Sequence, residues 1–449
     1  MPTQHAAPKP LNAAVDYARP IKAICIGAGM SGILCGIRLP QKIPNLDLTI
    51  YDKNDEYTFA NNPNWSKFFS PGQEIGEYFR DVADKYEVKK YVRFGHVFKS
   101  ARWQEDQARW EIRLVRMADN LEFTDTCDIF IKATGNLNRW TWPKLPGLES
   151  FRGELIHPQA WKDSWNPEDK RVAVIGYGAT AVQLVPAILP KVRYMDHYVR
   201  GQAWISPAGY VAADSRKANN PNLHNFEHFL DERERFTRDP DAYLQYRHQV
   251  EHFVNGQQAV HWVGSEMNKA FAIATEESMA RRLARKPEIF QALRPNYPVA
   301  CRRTSPGPRY LECLVEDNLN FISKGVKEVT ETGIVDDDGT FREVDTIICA
   351  TGFDTSLTLE ETPIYGRNGV SLGELWADQP GAYMSICPPQ MPNMFLFVGP
   401  NGAPGAGSTI QMSECVSDYV VKCVQKIQKE NLRWMMPRHV THRNLLGNC

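Results

Sequence analysis

The sequence predicts an α/β protein that contains two Rossmann-like dinucleotide-binding units. Two glycine-rich segments, GAGMSG at 27–32 and GYGATA at 176–181, each follow a short apolar run with the character of a buried parallel strand. Two further apolar runs, at 127–135 and 345–352, end in Ala-Thr-Gly, and each lies downstream of one glycine-rich segment. A single Thr-Gly ending is explained by ordinary turn chemistry, but the duplication favours two related nucleotide-binding units.

The composition limits the possible partners. The chain has 449 residues, which predicts two or three domains, and its 52 basic and 53 acidic side chains nearly cancel. This balance argues against nucleic acid or an anionic membrane as partner and favours a small neutral molecule. The ten cysteines are scattered without a C-x-x-C pair, and neither a signal peptide nor a membrane span is evident. We therefore expect a soluble cytosolic protein with free thiols.

The first glycine-rich segment follows a strand predicted at 21–26 and opens a helix that should end near Pro40. Gly27 permits the tight turn, Gly29 lets the backbone approach a pyrophosphate, and Gly32 lets helix and strand pack closely. The free N–H groups and the dipole at this end of the helix favour an anion. The predicted cofactor contacts in this segment are Gly27, Ala28, Gly29, Met30, Ser31 and Gly32.

A second strand, predicted at 46–51, delivers an acidic residue to the same site. Asp52 stands 20 residues after Gly32, where a carboxylate can bind ribose hydroxyls. The order of strand, glycine-rich loop, helix, second strand and acidic residue indicates a dinucleotide site, although each feature alone is weak evidence for one.

The second glycine-rich segment follows a strand predicted at 172–175, and Ala181 takes its third glycine position. The next strand, at 194–199, ends in Val199 and Arg200, where an NAD-selective site tends to carry an acid. A guanidinium there can form paired hydrogen bonds with a 2′-phosphate, which favours NADP, while a solvated surface arginine is the alternative. The predicted contacts before that strand are Gly176, Tyr177, Gly178, Ala179, Thr180, Ala181 and Gln183.

The segment between the two loops, FRGELIHPQAWK at 151–162, has the spacing F-x-G-x-x-x-H-x-x-x-W. Its members are Phe151, Gly153, His157 and Trp161, and they resemble the fingerprint of Baeyer–Villiger monooxygenases, flavoenzymes that insert an oxygen atom beside a ketone. Related flavin monooxygenases that oxidise nitrogen or sulfur usually carry Tyr or Phe in place of Trp161. Lys162 departs from the family, which usually has Pro or Asp there, and an ordinary Trp-anchored linker is the alternative.

The resemblance implies a discontinuous FAD-binding domain into which an NADP-binding domain is inserted. We expect a flexible N-terminus at 1–20, FAD-binding parts at 21–152 and 346–449, NADP-binding parts at 153–218 and 296–345, and a helical insertion at 219–295. The further cofactor contacts that we expect are Tyr57, Thr134, Gly135, Thr351, Gly352 and Asn401.

The resemblance also implies a set of catalytic residues. Arg303 matches the family's catalytic arginine and Arg302 its basic neighbour, although Thr304 replaces the usual Pro. A permanently charged planar guanidinium can stabilise the negative charge that develops during oxygen transfer, whereas the alternative is a surface arginine pair. His157 and Trp161 would couple the position of the nicotinamide cofactor to that of the flavin.

The predicted helical insertion contains one metal-like pattern. His248 and His252, in HQVEH, have the H-x-x-E-H spacing of some zinc peptidases. The surrounding helix is highly charged, and a solvated helix face explains the histidines better than a ligand set does. No metal is therefore predicted.

Two pieces that the family usually carries are absent. One is a flavin-covering segment of about twenty residues after Asp52, with GGTW, RYPG and CD motifs, a gap larger than ordinary loop variation. The other is a C-terminal segment with a Trp that borders the substrate. We therefore keep three hypotheses: ketone oxygenation of the kind seen in fungal biosynthetic members, nitrogen or sulfur oxygenation, and an inactive cofactor-binding remnant or partner subunit.

Overall fold

A computed structural model describes residues 17–54, 62–207, 225–301, 305–355, 359, 361–402 and 407–438. The strands are β1 (Ile21–Ile26), β2 (Leu46–Tyr51), β3 (Val92–Arg93), β4 (His96–Gln104), β5 (Arg109–Arg116), β6 (Leu121–Cys127), β7 (Ile129–Lys132), β8 (Glu154–Ile156), β9 (Arg171–Ile175), β10 (Tyr194–Tyr198), β11 (Ile205–Ser206), β12 (Ser305–Pro306), β13 (Leu319–Ile322), β14 (Val326–Val329), β15 (Gly333–Asp336), β16 (Phe341–Glu343), β17 (Thr346–Cys349), β18 (Ile364–Tyr365) and β19 (Met394–Leu396). The helices are α1 (Met30–Lys42), α2 (Gly72–Lys85), α3 (Ala179–Ile188), α4 (Leu230–Arg238), α5 (Pro240–Gly256), α6 (Glu266–Arg282), α7 (Pro287–Leu293), α8 (Tyr310–Leu314), α9 (Leu372–Leu375) and α10 (Thr409–Lys429).

The first sheet is parallel and has the strand order β19-β7-β1-β2-β3. Its central strands are mostly apolar because both faces are covered. Successive residues of β1 alternate between the two sides, so that Cys25 packs towards α1 and α10 while Ile24 packs towards Phe130 and Trp110. The predicted strands at 21–26 and 46–51 are found with the same bounds. The predicted helix contains Pro40 and ends two residues later, at Lys42.

The second sheet is also parallel, with the order β13-β10-β9-β17-β8. Its strand β17 pairs with both β9 and β8, so the chain remains in this sheet as far as Cys349. Thr346–Cys349 is hydrogen-bonded in this sheet and therefore lies one strand beyond the boundary predicted at residue 345. The two parallel sheets confirm the predicted α/β class with two Rossmann-like units.

Each parallel sheet is backed by a smaller antiparallel one. Strands β4, β5 and β6 form an antiparallel sheet, joined by β18, whose buried aromatic residues pack on the first parallel sheet. Strands β14, β15 and β16 form a three-stranded sheet that packs on the second. The long antiparallel pairing of β4 with β5 was not predicted from the sequence.

Helices α4 to α7 follow one another between 230 and 293 without an intervening strand. Met279 and Leu283, at the end of α6, and Ile289 and Leu293 of α7 pack into the core of the second sheet. His248 and His252 border a shallow surface pocket on α5. Among the described residues, no three His, Cys, Asp or Glu side chains are placed to hold a metal ion.

None of the helices in the described part of the chain has the length and apolar character needed to cross a membrane.

Candidate active site

The first glycine-rich loop is shaped by the Ala-Thr-Gly turn that follows β7. Gly27 has a φ of +108°, and a Cβ there would lie 2.5 Å from the carbonyl oxygen of Ala133. A Cβ on Gly32 would lie 1.9 Å from the carbonyl oxygen of Gly27. Only glycine fits at either position, because one needs a positive φ and both touch backbone. The loop and the first Ala-Thr-Gly turn therefore form one structural unit.

Asp52 is bonded directly into this loop. Its side chain is 8% exposed, and one carboxylate oxygen accepts a hydrogen bond from the Ala28 backbone N–H at 2.5 Å. The other oxygen accepts from the backbone N–H of Asn54 at 2.7 Å. The carboxylate is held at the mouth of the loop, where a nucleotide ribose would meet it.

A crevice of about 390 Å³ opens at the carboxyl ends of the first sheet. Its lining includes Gly27 and Gly29, residues 51–54, 132–136 and 396–400, and Arg139. Lys53 donates a hydrogen bond across it to the Asn138 carbonyl at 2.9 Å. The crevice thus has the location in which open parallel sheets bind their ligands.

The far wall of the crevice contains strained backbone. Val398 lines it with a φ of +56°, which is an outlier for a β-branched residue. A Cβ on Gly399 would lie 2.2 Å from the Ser385 carbonyl oxygen, so this glycine packs against protein backbone. Asn401 also has a positive φ, of +58°, and is exposed. Such strain clusters at functional sites.

The second loop repeats the geometry of the first. Gly176 has a φ of +109°, and a Cβ there would lie 2.3 Å from the carbonyl oxygen of Ala350 in the second Ala-Thr-Gly turn. Gly178 caps α3 with a φ of −67°, as Gly29 caps α1, and nothing lies within 4 Å of a Cβ placed on it. Ala181 is fully buried, as its packing position requires.

The other predicted residues of the second loop lie around the start of α3. Tyr177 reaches towards Gly201, whose added Cβ would lie 2.1 Å from the tyrosine oxygen. Ala179 and Thr180 begin the helix, and the Gln183 amide donates a hydrogen bond to the Ala179 carbonyl at 2.8 Å. The backbone N–H groups in the first turn of α3 have no partner within the helix and remain directed at the loop opening.

Strand register identifies which residues after β10 correspond to Asp52. The Gly27 N–H donates to the Tyr51 carbonyl, and the Gly176 N–H donates in the same way to Tyr198. Val199 therefore stands where the first site has Asp52, and Arg200 stands where it has Lys53. Val199 is 1% exposed, whereas Arg200 is exposed and forms no ion pair with another described residue.

The linker motif packs around a buried histidine. His157 is 3% exposed and stacks on Trp140 with ring centres 4.2 Å apart and an interplanar angle of 11°. Trp142 meets the same ring edge-on at 6.0 Å. His157 Nδ1 accepts a hydrogen bond from the Gln159 N–H at 3.2 Å, while Nε2 makes none with any described residue. Burial lowers the pKa of His157, and the Gly352 backbone partly offsets this effect.

Two other motif residues in the linker have different environments. A Cβ on Gly153 would lie 2.4 Å from the Asp345 carbonyl oxygen and 2.6 Å from the Phe151 ring, which explains the Phe-x-Gly spacing. Trp161 is 38% exposed and contacts Trp165 edge-on at 5.4 Å. Trp165 in turn donates to the Thr346 hydroxyl at 3.2 Å, which ties this end of the linker to β17.

The two chain segments that leave the Ala-Thr-Gly turns are held together. The Asp354 N–H donates to the Arg139 carbonyl at 2.9 Å, and the two side chains form an ion pair. Arg139 also pairs with Glu361 at 3.1 Å. Thr134, Gly135, Thr351 and Gly352 lie at the start of these segments, and both glycines have a positive φ. The sequence did not indicate this bridge.

Several predicted residues fall elsewhere. Arg302, Arg303 and Tyr57 lie outside the described residues. Ser31 is buried at the start of α1 and Met30 is partly buried there, so they support the loop.

Sequence reasoning missed Lys132, which lines the crevice. It also missed the Trp140 and Trp142 rings that pack on His157, although the Trp-x-Trp spacing was an available signal.

The comparisons with known proteins agree with one another. A flavin-binding monooxygenase-like family model matches residues 54–205. The FAD-binding monooxygenase tazF of Aspergillus terreus is 36% identical, over 94% of this chain and 79% of that protein. The FAD-binding monooxygenase moxY of Dothistroma septosporum is 33% identical, over 94% of this chain and 70% of that protein.

Solved structures with the same fold include two cyclohexanone monooxygenases. An open crystal structure of one has a TM-score of 0.80 at 21% identity, covering 96% of this chain and 92% of that one. The NADP+-bound enzyme from Rhodococcus sp. Phi1 has a TM-score of 0.79 at 23% identity, covering 96% of this chain and 89% of that one. At these identities the likeness concerns the fold.

Proposed function

Because this chain belongs to the flavin-binding monooxygenase-like family of enzymes, we propose that it is an FAD- and NADPH-dependent Baeyer–Villiger monooxygenase. Such an enzyme inserts one oxygen atom from O2 beside a ketone carbonyl and forms an ester or a lactone. The fungal relatives favour a biosynthetic ketone as substrate. The predicted division of the chain into an interrupted FAD-binding domain and an inserted NADP-binding domain is part of this proposal, with its boundary moved to follow β17.

The first crevice fits FAD. Two positions, Gly27 and Gly32, leave no room for a Cβ, and the fixed Asp52 carboxylate provides ribose acceptors. FAD, once reduced, supplies the activation of O2 and the transfer of one of its atoms. Gly29 and the first turn of α1 would hold the pyrophosphate, while the 396–400 segment would border the ring.

The second loop is assigned to NADPH. Val199 provides no carboxylate to compete with a 2′-phosphate, and the exposed guanidinium of Arg200 follows it directly. A planar guanidinium binds phosphate with paired, charge-assisted hydrogen bonds. Open space at Gly178 lets the backbone approach the NADPH pyrophosphate. Arg200 would therefore select NADPH over NADH.

The linker motif carries the ketone assignment, because it has Trp161 where the nitrogen- and sulfur-oxygenating relatives usually carry Tyr or Phe. His157 stacks on Trp140, and the Gly352 backbone partly offsets the lowering of its pKa, which indicates that the motif residue lies near the second Ala-Thr-Gly turn. Gly153 anchors the other end on Asp345. Burial lowers the pKa of His157 and so disfavours the charged form of the ring, which suits a packing element. We assign it a positioning role that links the two nucleotide sites.

Arg303 is the proposed catalytic residue, with Arg302 as its basic neighbour. A guanidinium keeps its charge at all working pH values and can stabilise the oxyanion that forms when oxygen adds to a ketone. Both residues lie outside the described part of the chain, so this assignment rests on the motif. Replacing Arg303 by Ala should abolish ester formation while flavin reduction by NADPH continues.

Product analysis tests the proposal. The FAD-loaded protein is incubated with NADPH, labelled O2 and either a cyclic ketone or a thioether. The proposal predicts a lactone that carries one labelled oxygen atom, and it predicts that Arg303→Ala forms none. Oxygenation of the thioether alone would overturn the ketone assignment in favour of the sulfur-oxygenating alternative.

The missing flavin-covering segment motivates the other alternative, an inactive remnant or partner subunit. A remnant would keep the folded loops but would not turn over. The visible spectrum distinguishes it, because an active protein binds FAD and its flavin band bleaches with NADPH. A protein that stays colourless after FAD addition would support the remnant.

A further inference from the structure

Lys132 is a cation at the end of a buried strand. It is the last residue of β7, and strand register places it beside Ile26, directly before the first glycine-rich loop. Its neighbour Ala133 supplies the carbonyl that excludes a Cβ from Gly27. The Lys132 side chain lines the same crevice as Gly27 and Gly29.

The surroundings of Lys132 do not neutralise its charge. Side chains alternate along β7, so Lys132 shares a face with Phe130, which packs into an apolar core with Ile26 and Leu396. The ammonium donates a hydrogen bond to the Thr134 hydroxyl at 3.1 Å. No carboxylate pairs with it among the described residues, and Arg139 is a second positive charge nearby. A partly buried cation in this setting is costly unless an anion accompanies it.

The same position in the second sheet shows that the fold does not require lysine. Ile26 pairs with Lys132, and the equivalent residue Ile175 pairs with Cys349. Cys349 is fully buried and precedes its own Ala-Thr-Gly turn. An apolar or small residue therefore satisfies the strand, and the lysine needs another explanation.

We propose that Lys132 binds the pyrophosphate of FAD as a second contact beside the first glycine-rich loop, and that FAD binding is coupled to proton uptake by this lysine. The proposal rests on the proposed function, because it takes FAD as the occupant of the crevice. An adjacent dianionic pyrophosphate favours the charged amine, so binding shifts the equilibrium towards the ammonium.

Proton uptake has a defined pH range. Burial, with a smaller contribution from the charge of Arg139, lowers the pKa of Lys132 to about 8. Near pH 8 the Lys132 amine is therefore neutral in roughly half of the cofactor-free molecules. The protein should take up roughly half a proton for each FAD that binds. The other titratable or charged groups that line the crevice are Tyr51, Asp52, Lys53, His96, Asp354 and Glu361, together with Arg139. Proton exchange by these other groups should be the same in wild type and in the Lys132 variants, so it cancels when the two are compared.

Titration calorimetry of the full-length protein freed of flavin tests the proposal. FAD is titrated at pH 8 in two buffers with different ionisation enthalpies, which gives the protons exchanged per FAD. Wild type should take up roughly half a proton more than Lys132→Arg, whose guanidinium keeps its charge but does not titrate. Lys132→Met should lack the same uptake and bind FAD about tenfold more weakly, since a charged contact is lost.

Ligand fragments separate pyrophosphate from the rest of the cofactor. Adenosine diphosphate should reproduce the Lys132-dependent uptake, whereas riboflavin should not. Equal proton exchange in wild type and both variants would overturn the role of Lys132 and leave the proposed function intact. No binding of FAD to wild type would overturn both. Retained binding by Lys132→Arg also shows that the variant is folded.

Discussion

At the first loop the Gly27 N–H bonds to the Tyr51 carbonyl, and at the second the Gly176 N–H bonds to the Tyr198 carbonyl. The φ angles of the two glycines differ by one degree, +108° and +109°, and each packs on the alanine of its own Ala-Thr-Gly turn. The backbone requirements at the first glycine of the two loops are therefore the same, whereas at the third position a Cβ is excluded from Gly32 and present on Ala181. The pair of residues that follows the tyrosine also differs.

At the first site that pair is Asp52 and Lys53, and at the second it is Val199 and Arg200. The Asp52 carboxylate is bonded to its loop, whereas Arg200 is exposed at the opening. Under the proposed assignment, one backbone geometry would provide a fixed acceptor for ribose hydroxyls at the first site and an exposed donor for a phosphate at the second. We propose that cofactor specificity is carried by these two side chains in each site, and the following predictions test how the two sites differ.

The largest expected effect concerns the third position of each loop. Gly32→Ala places a Cβ 1.9 Å from the Gly27 carbonyl oxygen, so the loop must shift and the protein should be isolated without flavin. Overpacking of this kind costs about 1–3 kcal/mol of unfolding free energy. Ala181→Gly, the reverse change at the second loop, should cost only about 0.5–1 kcal/mol. Flavin absorbance and urea unfolding measure both; retention of flavin by Gly32→Ala would refute the packing argument.

The second prediction concerns a histidine below the second loop. His197 is fully buried; its Nδ1–H donates to the Val174 carbonyl, and Nε2 accepts from the Tyr310 hydroxyl at 2.9 Å. Burial lowers the pKa of His197 to about 4, whereas the unfolded chain has an ordinary value near 6.5. The unfolded state therefore binds the proton first, so stability is complete above pH 6.5 and falls as the pH drops towards 4.

The equivalent residue in the first sheet is Ile50, which cannot titrate. His197 alone should remove about 3 kcal/mol of unfolding free energy between pH 7 and pH 4. Urea unfolding across this range measures the loss, and His197→Gln should flatten the curve by that amount whatever its stability at pH 7. An unchanged pH dependence in the variant would contradict the assignment.

The third prediction separates the two sites by cofactor. Asp52→Asn replaces a charged acceptor of two backbone hydrogen bonds with a neutral amide. FAD should bind about 10–100-fold more weakly, since hydrogen bonds to charged groups contribute about 1.5–3 kcal/mol. Fluorescence titration gives the Kd for FAD, and the Kd for NADPH should not change. Equal weakening of both cofactors would show that the variant disturbs the fold instead.

The smallest effect is expected at Arg200. Arg200→Ala should raise the KM for NADPH about tenfold and leave the KM for NADH unchanged, since only NADPH carries the 2′-phosphate. Lys53→Ala is the matched control, because Lys53 stands at the equivalent place in the first site and bonds to Asn138. Steady-state kinetics with both nucleotides measures the ratio. If Lys53→Ala lowers the NADPH preference as much as Arg200→Ala, the assignment of the two sites is wrong.

Local patterns in the sequence were enough to predict the two loops, the strands before them and the position of Asp52. Those features depend on residues close together in the sequence. A buried parallel strand is continuously apolar, and a glycine is needed where the backbone has a positive φ or packs directly against another backbone segment. The strand at 46–51 and its acid were found in place for this reason.

The features that were missed depend on distant parts of the chain. Arg139 and Asp354 are 215 residues apart and meet only because two segments leave the sheets side by side. Likewise, the end of the predicted strand placed Arg200 where the first site carries its acid, and only strand register shows that Val199 takes that position. The sequence did not mark Lys132 as a site residue, because a single lysine at the end of an apolar run is also typical of a strand that ends at the solvent.

Anaerobic mixing of the FAD-loaded protein with NADPH tests the central claim most directly, namely that the two sites bring their cofactors together. The account predicts that the visible band of the oxidised flavin bleaches, and that it bleaches faster with NADPH than with NADH. A protein that binds both FAD and NADPH, as equilibrium dialysis would show, but keeps its flavin oxidised would contradict it.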